Sequence, residues 1–535
     1  MGESTGVYVH GNAKTATVAC RHLPDPATTR MLDNFQNLAK AFADYAWGPW
    51  LLVLLLGGGL FFLIYTRFAP FRHLPHAIDL LRGKYNADDD PGQITHFQAL
   101  SSALAGTIGM GNIAGVALAI AIGGPGAIFW MWMTAILGIA TKFFTCTLAV
   151  MYRGYDSAGV LQGGPMYVVR EGLGKRWHFL AYMFAFFGLI GALPALQANQ
   201  LVQILRDVLF INNGWLQAEG DPLPFNLAAG VLIALITGSV IFGGLKRIAA
   251  VASRIVPAMS LLYIGAAATG LLLNLERVPG AFALIVEDAF TGRAAGGGAL
   301  LAVILYGVQR GAYSNEAGIG TESMAHGAAK TREPVREGLV AMLGPVIDTL
   351  LICSATAFMI LLSGVWQIEG AGNGVTLTAA AFEQLLGTPG LVILFACVLS
   401  FAGTTILTYS FYGAQCASFL FGAHHSGHYR WVYLAFIIVA SVLTIEAAVS
   451  VIDGAVFSGA LDGYLRAYDT NTGKVLWAYD TSREFTTVNG VKAYGGAHNG
   501  PGPAIVGGHV YVNSGYGMWN VFMPGNALLA FSLGD

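Results

Sequence analysis

The sequence predicts an all-α polytopic membrane protein with a small all-β tail at its C-terminal end. Three observations predict it. Of the 535 residues, 55% are hydrophobic and only 11% charged, against roughly 25% charged in an ordinary soluble domain. Mean hydropathy is +0.60. Apolar runs of about 20 residues, the length that crosses a bilayer, recur along the chain. Membrane lipid is therefore the solvent for most of it. A net charge of −2 leaves no basic excess to neutralise a phosphate backbone, which excludes nucleic acid as a main partner.

The elements follow in order. Residues 1–30 are polar, mixed and unpatterned, and read as a loosely ordered tail. No run within residues 1–45 is long enough for a signal-peptide core. Spans zero to nine then fall near 46–65, 98–122, 125–150, 178–206, 225–244, 248–273, 296–325, 338–362, 389–421 and 430–453. Loops after spans zero, two, four, six and eight hold fourteen lysines and arginines, while those of opposite parity hold Arg277 and Arg293. Positive loops stay in the cytoplasm, so span one begins there. The N-terminus and everything after about residue 454 are expected on the outer face. From 456 to 535 the texture changes to short alternating runs broken by Gly, Asn and Asp, as in VFSGALDGYLRAYDTNTGKVLWAYDT, which predicts soluble strands.

Cys20, Cys146, Cys353, Cys397 and Cys416 have no metal-ligand or redox spacing, and the last four sit in apolar runs as small packing residues. Span one is more informative. In LSSALAGTIGMGNIAGVALAIAIGG, Gly106, Gly109 and Gly111 crowd an apolar helix. An unwound point at membrane depth frees N–H groups that suit a carboxylate and carbonyls that suit Na⁺; close packing of small residues explains the same spacing. Span six repeats the theme, with Gly311, Gly318 and Gly320 flanking Ser314, Asn315 and Glu316. A hydroxyl, an amide and a carboxylate in one apolar span are costly unless paired or functional. Two broken helices five spans apart fit corresponding positions of two inverted repeats. Lys142, Arg254, Arg310, Glu322, Asp348, Glu446 and Asp453 are the other ionisable residues in or near spans, without assignable partners.

The strings GTIGMGNIAG, GGPGAIFWMW, ATKFFTCTLAV, QGGPMY, GVQRGAYSNEAGIG, AHGAAKT and EGLVAMLGPVIDTLLICSATA, in this order across residues 31–455, resemble the alanine or glycine:cation symporter family, also called the sodium:alanine symporters. The resemblance implies a five-plus-five inverted-repeat fold with an extra N-terminal span. It implies Na⁺-coupled symport of a small neutral amino acid, alanine or glycine, in a bacterial or archaeal plasma membrane, with no enzymatic step and no organic cofactor. Carried onto this chain, the substrate carboxylate meets backbone at Met110, Gly111 and Asn112 with Thr107 alongside, and Gln197, Ser314 and Asn315 complete the polar contacts. A Na⁺ site follows from the hydroxyls of Thr404 and Thr405 with carbonyls at Ala105, Ile108 and Phe401. Back-bonding of the two threonines to their own helix is the structural alternative. Tyr313 and Tyr409 would limit pocket size, although rings at helical spacing are also ordinary packing.

The chain departs from the family at three places. Thr145 stands where a glutamate is usual, and Tyr409 where tryptophan is usual. After TIEAAVSVIDGA the final span is missing, and DGYLRAYDTNTGKVLWAYDT instead resembles a quinoprotein-type β-propeller repeat. About 80 residues make at most two blades, fewer than the four to eight of a closed ring. Asp462, Asp469, Thr472, Gly473 and Trp477 are then turn and packing residues. A membrane-anchored dehydrogenase fragment and a transport-inactive fusion are the competing functional readings.

Overall fold

A computed structural model describes residues 6–12, 45–85, 87, 89–211, 214–216, 222–291, 300–368 and 374–442, and nine strands with Thr481 between residues 449 and 534. Residues Trp47–Leu443 form one compact unit, and the strands of residues 1–46 and 444–535 form another.

The first unit is a helical bundle. Its apolar helices are α1 (Trp50–Tyr65), α2 (His96–Thr107), α3 (Gly111–Gly123), α4 (Ala127–Met151), α5 (His178–Gly191), α6 (Ala195–Ile204), α7 (Leu223–Ile241), α8 (Gly244–Leu273), α9 (Val278–Thr291), α10 (Leu300–Asn315), α11 (Glu322–Gly327), α12 (Pro334–Ser363), α13 (Val375–Phe421) and α14 (His425–Val442). Among the described residues, six helical segments are long and apolar enough to cross a membrane, and seven if the bent pair α2 and α3 counts as one crossing. The expected spans zero, six and nine are helical at α1, α10 and α14, none longer than the 18 residues of α14. Leu235, Ile236 and Leu261 stand 67%, 60% and 73% exposed on the bundle's outside. A surface that apolar is stable against lipid and not against water, so the chain is an integral membrane protein.

The bundle interior is packed by large rings as well as small residues. Tyr263 of α8 lies against Phe382 and Phe401 of α13, each pair with centroids 5.4 Å apart. Helix α13 begins fourteen residues before the run expected at 389, because Val375–Leu386 forms a separate helical stretch. It meets the rest at Gly387 (φ 66°, ψ −159°), a conformation that glycine alone adopts without cost, two residues before Pro389. Helix α9 was not anticipated: at 14 residues it is too short to span, and it is held by Asp288, which accepts the Gly126 N–H at 2.8 Å.

Two further boundaries differ from the sequence reading. Span nine is expected to reach 453, yet within it Val449–Ile452 pairs as a strand, and its described helix is His425–Val442. A short apolar run with β-branched residues fits either state by periodicity. Residues Gly6–Asn12, within the stretch read as an unpatterned tail, form strand β1. In the second unit, β2 (Val449–Ile452), β3 (Ala455–Gly459), β4 (Tyr464–Asp469) and β5 (Val475–Asp480) make a consecutive antiparallel meander. A second sheet orders β1, β8 (Ala527–Gly534), β7 (His509–Ser514) and β6 (Ala504–Val506), with β1 parallel to β8. Asp462, Thr472, Gly473, Glu446, Asp453, Cys20 and Arg293 lie outside the described residues.

Candidate functional site

The first span is broken where its glycines crowd. Helix α2 opens with a reciprocal cap, Thr95 Oγ1 accepting the Gln98 N–H at 3.2 Å and Gln98 Oε1 accepting the Thr95 N–H at 3.1 Å. It ends at Ile108, whose backbone is extended (φ −75°, ψ 96°), and the chain re-enters a helix at Gly111 after a bend of 54°. Asn112 holds the turn by accepting the Gly109 N–H at 2.9 Å. Glycine is required at 109 for a second reason: a Cβ there would stand 2.7 Å from Thr405 Oγ1.

Span six is broken too. Helix α10 stops at Asn315, whose side-chain oxygen accepts the Ala317 N–H at 2.9 Å, and Glu316 follows in the left-handed region at φ 54°. A non-glycine residue there costs about 1–3 kcal/mol and persists only where its surroundings hold it. Its carboxylate accepts the Tyr409 hydroxyl at 3.0 Å and the Thr321 hydroxyl at 2.6 Å.

Between the two breaks stands Asp348 of α12, fully buried. Oδ1 accepts the Asn112 amide at 2.6 Å, and Oδ2 accepts the hydroxyls of Ser314 and Thr349, both at 2.7 Å. Thr349 in turn accepts the Asn315 amide at 3.3 Å. The carbonyl of Asn112 accepts the Thr356 hydroxyl at 2.8 Å, and Tyr263 meets Thr356 at 2.7 Å. One carboxylate thus joins both breaks to the seventh span. Lys142 of α4 is also buried.

Around the first break, oxygens converge. Thr405 Oγ1 donates to the Phe401 carbonyl of its own helix at 2.9 Å, the back-bond of the structural alternative, and also lies 3.5 Å from the Ile108 carbonyl, which its own helix no longer uses. An all-oxygen set suits a hard cation such as Na⁺. Thr404 instead bonds the carbonyls of Ser400 and Phe401 at 2.9 and 3.2 Å and turns its hydroxyl toward Met259 Sδ at 3.9 Å. Ala105 is buried in the adjoining turn of α2.

Two cavities flank the breaks. One of about 550 Å³ is lined by Met110 and Gly111 at the first break, by Tyr313 and Arg310 of α10, and by Leu196, Gln200 and Gln203 of α6. The other, about 410 Å³, is lined by Tyr313, Glu316, Thr321 and Tyr409 and by Phe184 and Phe187 of α5. Tyr313 lines both. Of the residues singled out from sequence, Asn112, Ser314 and Asn315 meet in the Asp348 network, Met110, Gly111, Tyr313 and Tyr409 face the cavities, and Ile108, Phe401 and Thr405 meet at the oxygen cluster. Thr107 is buried with its hydroxyl 3.5 Å from the Leu104 carbonyl, and Gln197 is buried behind the α6 face that lines the larger cavity. Sequence reasoning left Asp348 unpartnered and passed over Thr349 and Thr356. The available signal was one carboxylate amid VIDTLL, where only a functional or paired charge survives.

A profile described as "Sodium:alanine symporter family" matches residues 32–462. An uncharacterized transporter of Haemophilus influenzae is 42% identical over 410 residues, covering 75% of this chain and 86% of that protein. The sodium/alanine symporter AgcS of Methanococcus maripaludis is 40% identical over 413 residues, covering 76% and 88%. The probable sodium/glutamine symporter GlnT of Bacillus subtilis is 37% identical over 391 residues, covering 73% and 78%. Among solved structures, MhsT in complex with L-phenylalanine aligns with a TM-score of 0.49 at 16% identity, covering 68% of this chain and 83% of that one.

Proposed function

Since the chain belongs to the sodium:alanine symporter family, a family of secondary amino-acid transporters, we propose that it moves a small neutral amino acid, alanine or glycine, in symport with Na⁺. The break at Ile108–Met110 carries this reading, because it places the Ile108 carbonyl 3.5 Å from Thr405 Oγ1 and opens on the larger cavity at Met110 and Gly111. The substrate carboxylate would meet the unwound backbone near Met110, Gly111 and Asn112, with Thr107, Gln197, Ser314 and Asn315 as further polar contacts. Na⁺ would take the carbonyls of Ala105, Ile108 and Phe401 and the hydroxyls of Thr405 and Thr404. Tyr313 and Tyr409 would bound the side-chain space.

Coupling follows if ion and substrate bind one state better than the other, since only differential binding shifts a two-state equilibrium. Rocking of one bundle against the other, in a five-plus-five repeat lacking its last span, would then alternate access. The transporter body in this reading is residues 31–455, preceded by an N-terminal tail (1–30) and followed by a propeller-like fragment (456–535), both on the outer face with the Lys- and Arg-rich loops inside.

Uptake of labelled alanine into proteoliposomes, with and without an inward Na⁺ gradient, tests the proposal. Gradient-driven accumulation supports it. Uptake indifferent to Na⁺ would sink the coupling, and no uptake by folded protein would favour the transport-inactive fusion.

A further inference from the structure

Helix α2 is the half of the broken first span on the Lys- and Arg-rich side of the bundle. It joins α3 through Ile108–Met110 and begins at His96. His96 is 2% exposed, and its Nδ1 donates to Oε2 of Glu337 on α12. The other oxygen, Oε1, accepts His326 Nδ1 of α11 at 2.5 Å. Glu337 and His326 are wholly buried. Two ligands of one metal ion, each about 2.0–2.2 Å from it, stand farther apart than this, so the three side chains are joined by hydrogen bonds.

The loops outside this cluster are stitched through backbone. Ile94 pairs with Ala329, the Lys330 N–H donates to the Ile94 carbonyl at 2.7 Å, and Arg153 donates to the carbonyls of Gly327, Pro91, Thr331 and Ala329. Burial lowers the Arg153 guanidinium to about 10, and the charge of Glu337 opposes that fall. Inside the cluster α2 packs closely on α13: Thr408 and Tyr412 lie 3.3 Å from where a Cβ of Gly106 would stand.

On the transport reading above, we infer that Glu337 is a positioning residue of the transport cycle: by holding His96 and His326 on one carboxylate, it latches the inner half of the first span against α11 and α12 and keeps the α2–α13 seam closed. Opening of that seam exposes the Thr405 oxygen cluster to the Lys- and Arg-rich side, one helical turn beyond Thr408. Release of the latch is therefore a step of ion and substrate delivery, and its strength sets how often the seam opens without cargo.

The test places a Thr408→Cys reporter in the full chain and measures its labelling by a membrane-impermeant maleimide in inside-out and right-side-out vesicles, against the same chain without the reporter. Glu337→Gln should raise the rate about tenfold or more, from the His96 side only; a merely loosened bundle labels from both sides. His96→Phe should do the same, and His96→Asn, which keeps an N–H donor, should return the rate toward that of the parent. Unchanged labelling in folded Glu337→Gln, or equal rates for His96→Phe and the parent, overturns the inference. If Glu337→Gln does not fold, the His96 pair carries the test alone. Absence of Na⁺-driven alanine uptake by the unmodified chain would instead count against the transport reading, which the labelling does not measure.

Discussion

The side-chain amide of Asn112 donates to Oδ1 of Asp348 at 2.6 Å, so the break in the first span is anchored directly to a carboxylate in the seventh. Ser314 from the sixth span reaches the other oxygen of the same group at 2.7 Å. Three spans thus share one acceptor.

Asp348→Asn keeps the shape and removes the acceptor capacity that Ser314 and Thr349 use. The folded protein should lose about 1–3 kcal/mol, the cost of buried donors left facing an amide. Thermal melts in detergent check the stability, and uptake per folded molecule should fall with it.

Thr405→Ala and Thr404→Ala should separate. Thr405 lies between the carbonyls of Phe401 and Ile108, while Thr404 turns toward Met259. The Na⁺ concentration for half-maximal uptake should rise about tenfold or more for Thr405→Ala, equivalent to about 1.4 kcal/mol, and much less for Thr404→Ala. Equal effects would move the ion off the Ile108 side.

Gly109→Ala adds a Cβ 2.7 Å from Thr405 Oγ1, closer than side-chain packing allows. The expected cost is about 1–3 kcal/mol from overpacking, with Na⁺ affinity falling as Thr405 is displaced. A Na⁺ titration of uptake, read beside a thermal melt, checks both.

Tyr409→Phe removes the hydroxyl that Glu316 accepts at 3.0 Å, for a loss of about 0.5–1.5 kcal/mol. Tyr409→Ala additionally enlarges the 410 Å³ cavity. Competition of glutamine against labelled alanine should then strengthen relative to the parent.

The bundle and both broken spans are legible in the sequence because their signals are local. Ten apolar runs mark the helices, and Gly106, Gly109 and Gly111 mark the break at Ile108–Met110. The Asp348 hub is not legible, because its partners Ser314 and Asn112 lie 34 and 236 positions away and only the fold brings them near. Thr404 and Thr405 read alike as neighbours, yet consecutive helical side chains point about 100° apart, so one meets the break and the other α8. The strand at Val449–Ile452 continues an apolar run whose period does not distinguish helix from strand. Gly6–Asn12 pairs with Ala527–Gly534 at the far end of the chain, a contact no local pattern announces.

Binding of alanine to the purified full chain, measured by calorimetry at increasing Na⁺ concentration, tests most directly whether ion and substrate share the break in the first span. Linkage requires each to strengthen the other by the same factor. The expected result is alanine affinity that rises about tenfold or more with Na⁺, and loses that rise in Thr405→Ala. Alanine affinity that is independent of Na⁺, or a Na⁺ effect untouched by Thr405→Ala, would contradict it.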